Sequence, residues 1–362
     1  MELLKQLYKI HSPSGNERVM KKFIRKYVRK HIPDVKIETD RKGNLYLIKG
    51  VAETYPCIVA HLDQVQREHS KDFIPVETKE LFFGYSPGHR RQEGLGADDK
   101  NGIWIALKCL KKYKTLKVAL FVEEETGCQG SNQADMDFFT DCRFVIQSDR
   151  RGYKDLITTI GWTDLCSDEF LKAIGYEKFG YQETDGMMTD ILTLKENRLE
   201  VSCINLSCGY YEPHTAQEFT VKKDLLNCLK LVEHIIETCT DVYPHIYNMY
   251  REDGSGPFLY EDEYAEAMDE IFGMLDNDDT LSVDDLKYMY GLYFPCLTRE
   301  DFERIYLDYF VWKKEESEEQ PDTEDFEFVD KGISVMNGIL RGKDFYEKGS
   351  PGEYDFIKEF PR

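Results

Sequence analysis

The run Lys117-Val118-Ala119-Leu120-Phe121-Val122-Glu123-Glu124-Glu125-Thr126-Gly127 decides the fold. Its apolar core has strand length and no polar alternation, the pattern of a strand covered on both faces. Three carboxylates follow at once, so the strand carries them out of a core to the rim of a sheet. Two further stretches repeat the arrangement: Cys57-Ile58-Val59-Ala60-His61-Leu62-Asp63 and Phe144-Val145-Ile146-Gln147-Ser148-Asp149. Residues 44–49 read as another short strand. Helical periodicity runs through Met20, Phe23, Ile24, Tyr27 and Val28, behind the capping side chains of Ser12, Ser14 and Asn16, and recurs over 103–113 and 221–239. Helices alternating with buried strands predict an α/β three-layer sandwich around a central, mostly parallel mixed sheet.

Ligand sites in such sheets lie outside the carboxyl ends of the strands. Five segments put chemistry there or at helix starts: Ala60-His61-Leu62-Asp63, the loop Gly94 to Gly102 with Asp98 and Asp99, Glu123 to Glu125, Ser148-Asp149, and Glu212-Pro213-His214. His61 and Asp63 are two apart and share a strand face, so one can ligate a metal while the other fixes the imidazole tautomer. Carboxylates as crowded as Glu123–Glu125 repel one another unless a cation or a proton resolves them. Two imidazoles and several carboxylates, with no thiolate among them, suit a pair of divalent ions: zinc first, then cobalt or manganese. One carboxylate must bridge to hold two ions ~3.5–4 Å apart. The absence of HExxH excludes a single-zinc site of the thermolysin type, and the absence of G-x-S-x-G leaves a serine route unsupported.

The 362 residues exceed one typical domain, and their charge is uneven. Of the formal −21, residues 1–250 carry −2 and residues 251–362 carry −19. The turn-rich stretch Arg251-Glu252-Asp253-Gly254-Ser255-Gly256-Pro257 marks the change, so a catalytic domain is expected over 1–250 and an acidic, mainly helical region over 251–362. Helices are predicted there at 264–275, 283–293 and 299–310, with a flexible linker at 313–325. Asp276-Asn277-Asp278-Asp279 starts like a calcium loop, but Leu281 stands where glycine is needed and Lys287 where a bidentate glutamate is needed; it reads as an acid-rich helix start. The acidic balance argues against nucleic acid as a partner. No run reaches the ~18 apolar residues of a membrane helix, and the start lacks a signal-peptide stretch, so no membrane association and a cytoplasmic location are expected. Ten cysteines without a CxxC, most of them in apolar segments, read as reduced and buried.

Taken together, the segments are similar to the co-catalytic di-zinc exopeptidase superfamily, which includes peptidase T, the aminoacylases, the glutamate carboxypeptidases and the bacterial leucyl and glutamyl aminopeptidases. The matching text is Ser12-Pro13-Ser14-Gly15-Asn16-Glu17, AHLDQV at 60–65, GADDKNGI at 96–103, EEETG at 123–127, Ser148-Asp149 and PHTAQEF at 213–219, in the family's order over about residues 1–240. The resemblance implies that His61 binds the first ion and Asp63 orients it. Asp98 would bridge both ions, with Asp99 the competing register. The family's Glu-Glu-x-Gly makes Glu124 the general base and Glu125 a ligand of the second ion. Asp149 completes the first ion's shell and His214 the second's.

The chain departs from those relatives in having no inserted lid: Asp149 and His214, like His61 and Asp98, are too close in sequence to enclose one. The extra mass sits at the C-terminus, where it offers a surface for homo-oligomers. The implied activity is a metal-dependent exopeptidase, an aminopeptidase or dipeptidase. In it a water between two ions has its pKa lowered towards ~7 and Glu124 shuttles its proton. An amidohydrolase acting on N-acylated amino acids would use the same site, and a non-catalytic metal-holding scaffold is the reading from another class. Arg150 could receive a substrate carboxylate, and Tyr210 and Tyr211 could line the pocket for a short peptide or acylated amino acid.

Overall fold

The apolar runs singled out above become the middle of one large sheet in the computed structural model of the chain, which describes residues 1–161, 163–246, 258–277, 280–291, 294 and 297–318. The first elements are α1 (Glu2–Tyr8), α2 (Arg18–His31), β1 (Val35–Thr39), β2 (Leu45–Lys49), β3 (Tyr55–His61), β4 (Ile74–Glu77), β5 (Leu81–Ser86) and β6 (Arg91–Glu93). Then come α3 (Ala97–Lys112), β7 (Leu116–Phe121), α4 (Gln129–Asn132), β8 (Cys142–Arg150), β9 (Asp155–Ile160), β10 (Thr163–Asp164), α5 (Asp168–Ile174) and β11 (Gln182–Asp185). The remainder is α6 (Asp190–Glu196), β12 (Cys203–Ser207), β13 (Tyr210–Tyr211), β14 (Phe219–Val221), α7 (Lys222–Thr238), α8 (Phe258–Asn277), α9 (Val283–Tyr290) and α10 (Arg299–Glu318).

The large sheet runs β1-β2-β7-β3-β8-β12-β9-β10, with β11 beside β9. Its four central strands, β7, β3, β8 and β12, are parallel, and antiparallel strands flank them. β3 and β7 are buried along their whole length because both faces are covered. The side-chain period of two sorts their residues into two cores. Ile58, Ala60, Val118, Leu120, Phe144 and Ile146 face one apolar cluster shared with α1, α2, α3 and α7. Cys57, Val59, Ala119, Phe121 and Val145 face the other, with Phe138, Ile191 and Leu194. That is the expected α/β architecture: a mixed sheet with helices on both sides.

Because β3 lies between β7 and β8, three strand ends emerge side by side. His61 pairs with Phe121 of β7, and Val59 pairs with Gln147, two residues before Asp149. A second, antiparallel sheet, β13-β14-β5-β4 with β6 beside β5, was not expected from the sequence. It ties residues 74–93 to the segment that follows β12, and so reaches the loop of His214.

Several expectations need correction. Helix α2 starts at Arg18 behind Glu17 with no side-chain cap. The hydroxyl of Ser14 is engaged elsewhere, donating to Asp63 Oδ2 at 2.7 Å. Residues 313–318 of the expected linker belong instead to α10, which continues through Glu318; residues 319–325, like the boundary at 251–257, lie outside the described residues. Asp276 and Asn277, read as an acid-rich helix start, instead close α8, while Asp278 and Asp279 lie outside the described residues; α9 starts behind Ser282, whose side chain and Asp285 form a reciprocal capping box. Helices α8–α10 share an apolar core of Ile271, Leu275, Leu286, Phe302 and Ile305. Lys287 donates to Asn132 at 3.1 Å, and Arg198 pairs with Glu300 at 2.8 Å. The chain divides into two compact units, Met1–Tyr309 and Phe310–Arg362. Among the described residues, no helix is long and apolar enough to cross a membrane. Nine cysteines are described, all free and buried.

Candidate metal centre

At the rim of the central strands, His61 closes β3 and its side chain is fully buried. Its Nδ1 lies 3.3 Å from Asp63 Oδ1, and its Nε2 lies 2.9 Å from Asp98 Oδ1 and 3.6 Å from Asp149 Oδ1. On the other side of Asp98, Oδ2 is 3.4 Å from His214 Nε2, which is 3.0 Å from Glu125 Oε2. Asp98 thus turns one oxygen to each histidine. The described residues contain two groups able to hold a metal ion, His61–Asp98–Asp149 and Asp98–Glu125–His214, joined through that carboxylate.

The turns of the backbone send the neighbouring acids Glu123, Glu124 and Glu125, and likewise Asp98 and Asp99, to different partners. After Phe121 the chain leaves β7, and Glu123 adopts a left-handed conformation (φ 53°) that begins a single 3₁₀ turn, Glu124–Thr126. The turn sends Glu123 outward to Lys42, 2.5 Å away, and Glu125 to His214. Glu124 approaches His61, its Oε2 3.8 Å from Nε2. Asp98 faces the two histidines. Asp99 instead accepts the backbone N–H of His61 at 3.2 Å and of Gly102 at 2.9 Å, fastening the start of α3 to β3. Asp63 lies 3.3 Å from His61 Nδ1 and accepts the backbone N–H groups of Glu124 at 3.0 Å and Glu125 at 3.1 Å, so this carboxylate ties the turn to the segment that follows β3.

A cleft of about 490 Å³ opens over these groups, lined by Asp98, Glu124, Glu125, Asp149, His214, Arg150, Arg151, Tyr210, Met187 and Met188 among others. Tyr210 reaches Asp149 Oδ1 with its hydroxyl at 3.4 Å. Arg150 lines the cleft, with Nε 3.6 Å from Asp155. Tyr211 is turned away from it, because its neighbour on the strand points in: its hydroxyl donates to Asp224 at 2.7 Å and its ring stacks on Phe219. A separate, more open groove along α2 is lined by seven lysines and arginines and contains none of these residues.

No protein-family model and no curated protein matches the chain. Solved structures do. The aminopeptidase PepT of Bacillus cereus superposes with a TM-score of 0.54 at 15 % identity, over 66 % of this chain and 97 % of that one. A tripeptidase of Staphylococcus aureus gives 0.52 at 13 % identity, over 65 % and 96 %. A TET aminopeptidase from a marine-sediment Thaumarchaeota archaeon gives 0.50 at 15 %, over 67 % and 97 %. This chain has the peptidase T fold. At such identities the likeness concerns the fold, and the chemistry rests on the side chains.

Their electrostatics fit a divalent cation. Burial works against the charge on His61, yet Glu124 and Asp149 outweigh it and hold its pKa well above the ordinary value. Hydrogen bonds to Asp98 and Glu125 push His214 up to about 11. Burial, with Asp98 nearby, raises the carboxyls of Asp149 and Glu125, and burial also raises that of Glu124. Asp98 is held low, because the two histidines overcome its burial. Carboxylates packed this closely around two imidazoles call for positive charge between them. Glu125 Oε1 is buried without a hydrogen-bond partner. Hard oxygens and borderline nitrogens in this ratio suit a divalent ion.

Sequence reasoning missed the residues behind the ligands. Asn205 of β12 clasps Asp149 through its backbone, accepting its N–H at 2.8 Å and donating to its carbonyl at 3.2 Å. Gln147 donates to the carboxylates of Asp149 and Asp190 at 3.2 and 3.3 Å and accepts from Thr189. Glu218 gathers the backbone amides of the Asp98 loop. A polar residue inside an apolar strand, as Gln147 is in Phe144-Val145-Ile146-Gln147, was the available signal for one of them. Glu218 had none, since its bonds run to a segment about 120 residues away.

Proposed function

We propose that the protein is a metal-dependent aminopeptidase that removes residues from short peptides. In this reading His61, Asp98 and Asp149 hold one divalent ion and Asp98, Glu125 and His214 a second. Support comes above all from Asp98, whose two oxygens face two histidines from different segments, each joined by one further carboxylate. Bound there, two ions would supply Lewis acidity towards the scissile carbonyl and the attacking water.

The chain's own groups do the rest. Glu124 stands beside His61 and lines the cleft, placed to take a proton from water and pass it to the departing amine. Asp63 keeps the His61 imidazole in one tautomer and fixes the turn that carries Glu124. Met187 and Met188 are 73 % and 51 % exposed at the cleft and offer an adaptable apolar surface to a substrate side chain. Arg150 and Arg151 line the same cleft and suit a carboxylate on a short peptide. A screen of unblocked di- and tripeptides against N-acylated amino acids, on protein loaded with zinc, cobalt or manganese, tests the assignment. Hydrolysis of free-amine peptides that is lost in Glu124→Gln supports it. Turnover confined to N-acylated substrates would make the enzyme an amidohydrolase, and metal binding without any turnover would make it a scaffold.

A further inference from the structure

We propose that Glu218 is a positioning residue that locks the loop of Asp98 to the loop of His214, so that the second ion's site exists only while this carboxylate is in place. The inference rests on the two-ion reading above. Glu218 is fully buried, four residues after His214 and immediately before β14. Its Oε2 accepts the backbone N–H of Gly96 at 2.5 Å, and its Oε1 accepts those of Ala97 at 2.9 Å and Asp98 at 3.1 Å. Gln66 adds a side-chain donor at 3.3 Å.

Three consecutive amides converge on one carboxylate because Gly96 is left-handed (φ 64°) and the chain enters α3 directly after it. Successive N–H groups in such a turn form a concave anion cradle, and the first amides of a helix have no partner within it. A side chain at position 96 would be strained by the left-handed backbone, and its Cβ, 2.7 Å from Lys100 Nζ and 2.9 Å from Gln64, would push both of those side chains aside. Lys100 is itself buried near Glu218 and donates to Gln64.

The geometry divides the labour. Glu218 touches the site through the backbone that presents Asp98, and the segment that bears it also bears His214. His61 and Asp149 are fixed by different means, the sheet itself and Asn205. Losing Glu218 should therefore loosen Asp98 for both groups, and the Asp98–Glu125–His214 group should suffer more, because its histidine shares a segment with Glu218 while His61 and Asp149 keep their own supports.

The test is ion binding to the full chain, by calorimetric titration with zinc and by elemental analysis after dialysis, for wild type, Glu218→Gln and Glu218→Asp. Wild type should take up two ions. Glu218→Gln, which turns an acceptor into an amide donor facing N–H groups, should bind the second ion 10–100-fold more weakly, the usual span for a partner of a ligand, and the first ion only severalfold more weakly. Glu218→Asp restores the charge one methylene short and should recover part of that loss. It also carries the test if Glu218→Gln fails to fold, as judged by circular dichroism. Two wild-type affinities in a folded variant, or equal weakening of both ions, would overturn the proposal while leaving the two-ion reading intact. A wild-type protein that binds fewer than two ions would remove the reading itself.

Discussion

The two halves of the candidate centre are built by different means. His61 and Asp149 stand on the central strands, 0 % and 7 % exposed, in places fixed by the register of β3 and β8. His214 is 50 % exposed on a loop between short strands of the smaller sheet, itself left-handed (φ 64°), and meets Glu125 from a single turn. Left-handed non-glycine residues gather here: Glu123, Cys128, Glu212 and His214 all flank the site. Such conformations are costly and persist only where the surroundings dictate them. A sheet-borne site is preorganised by the core, whereas a loop-borne site depends on hydrogen bonds that can be removed one at a time.

The difference can be broken at its joint. Asp98→Ala should cost both ions and leave no measurable turnover, because the two groups share that residue; an enzyme with one ion tightly held would show that they do not. Next in size, Glu124→Gln should keep both ions and lower turnover by ~10²–10⁴-fold, read by kinetics beside elemental analysis. His214→Ala should retain one ion and His61→Ala neither; equal stoichiometries in the two variants would erase the distinction between the halves.

A pH titration sharpens the contrast. Without metal, both imidazoles are held protonated above their ordinary range, His214 up to about 11. An ion binds only the neutral ring, so ion affinity should rise with pH and each uptake should release a proton. Calorimetry in buffers of different ionisation enthalpy measures that release, and its absence would mean that the histidines are not ligands. The smallest effect is expected for Tyr211→Phe. It forfeits the hydrogen bond to Asp224, worth about 1 kcal/mol of stability, and should leave turnover within about twofold. A large kinetic effect would put Tyr211 back in the cleft.

What the sequence revealed follows the same division. The central strands were legible because burial on both faces writes an unbroken apolar run, and the site residues were legible because they stand at the ends of those runs. The smaller sheet was not, since β4, β5 and β6 are short, half-exposed and carry no period strong enough to read. Ser14 reads as a helix cap because a cap and a partner for a distant carboxylate have the same local signature; only the fold brings Asp63 to it. Asn205 and Glu218 act across many residues, so no local pattern announces them.

The buried cysteines give the chain a clock of its own. Cys57, Cys109, Cys203, Cys208 and Cys228 have no accessible surface, and burial raises each thiol's pKa, so almost no thiolate meets a reagent while the protein stays closed. Cys57 and Cys203 open into one core and Cys109, Cys208 and Cys228 into the other. The order in which they take up an alkylating label would time the opening of each layer separately, without a tag or a dye.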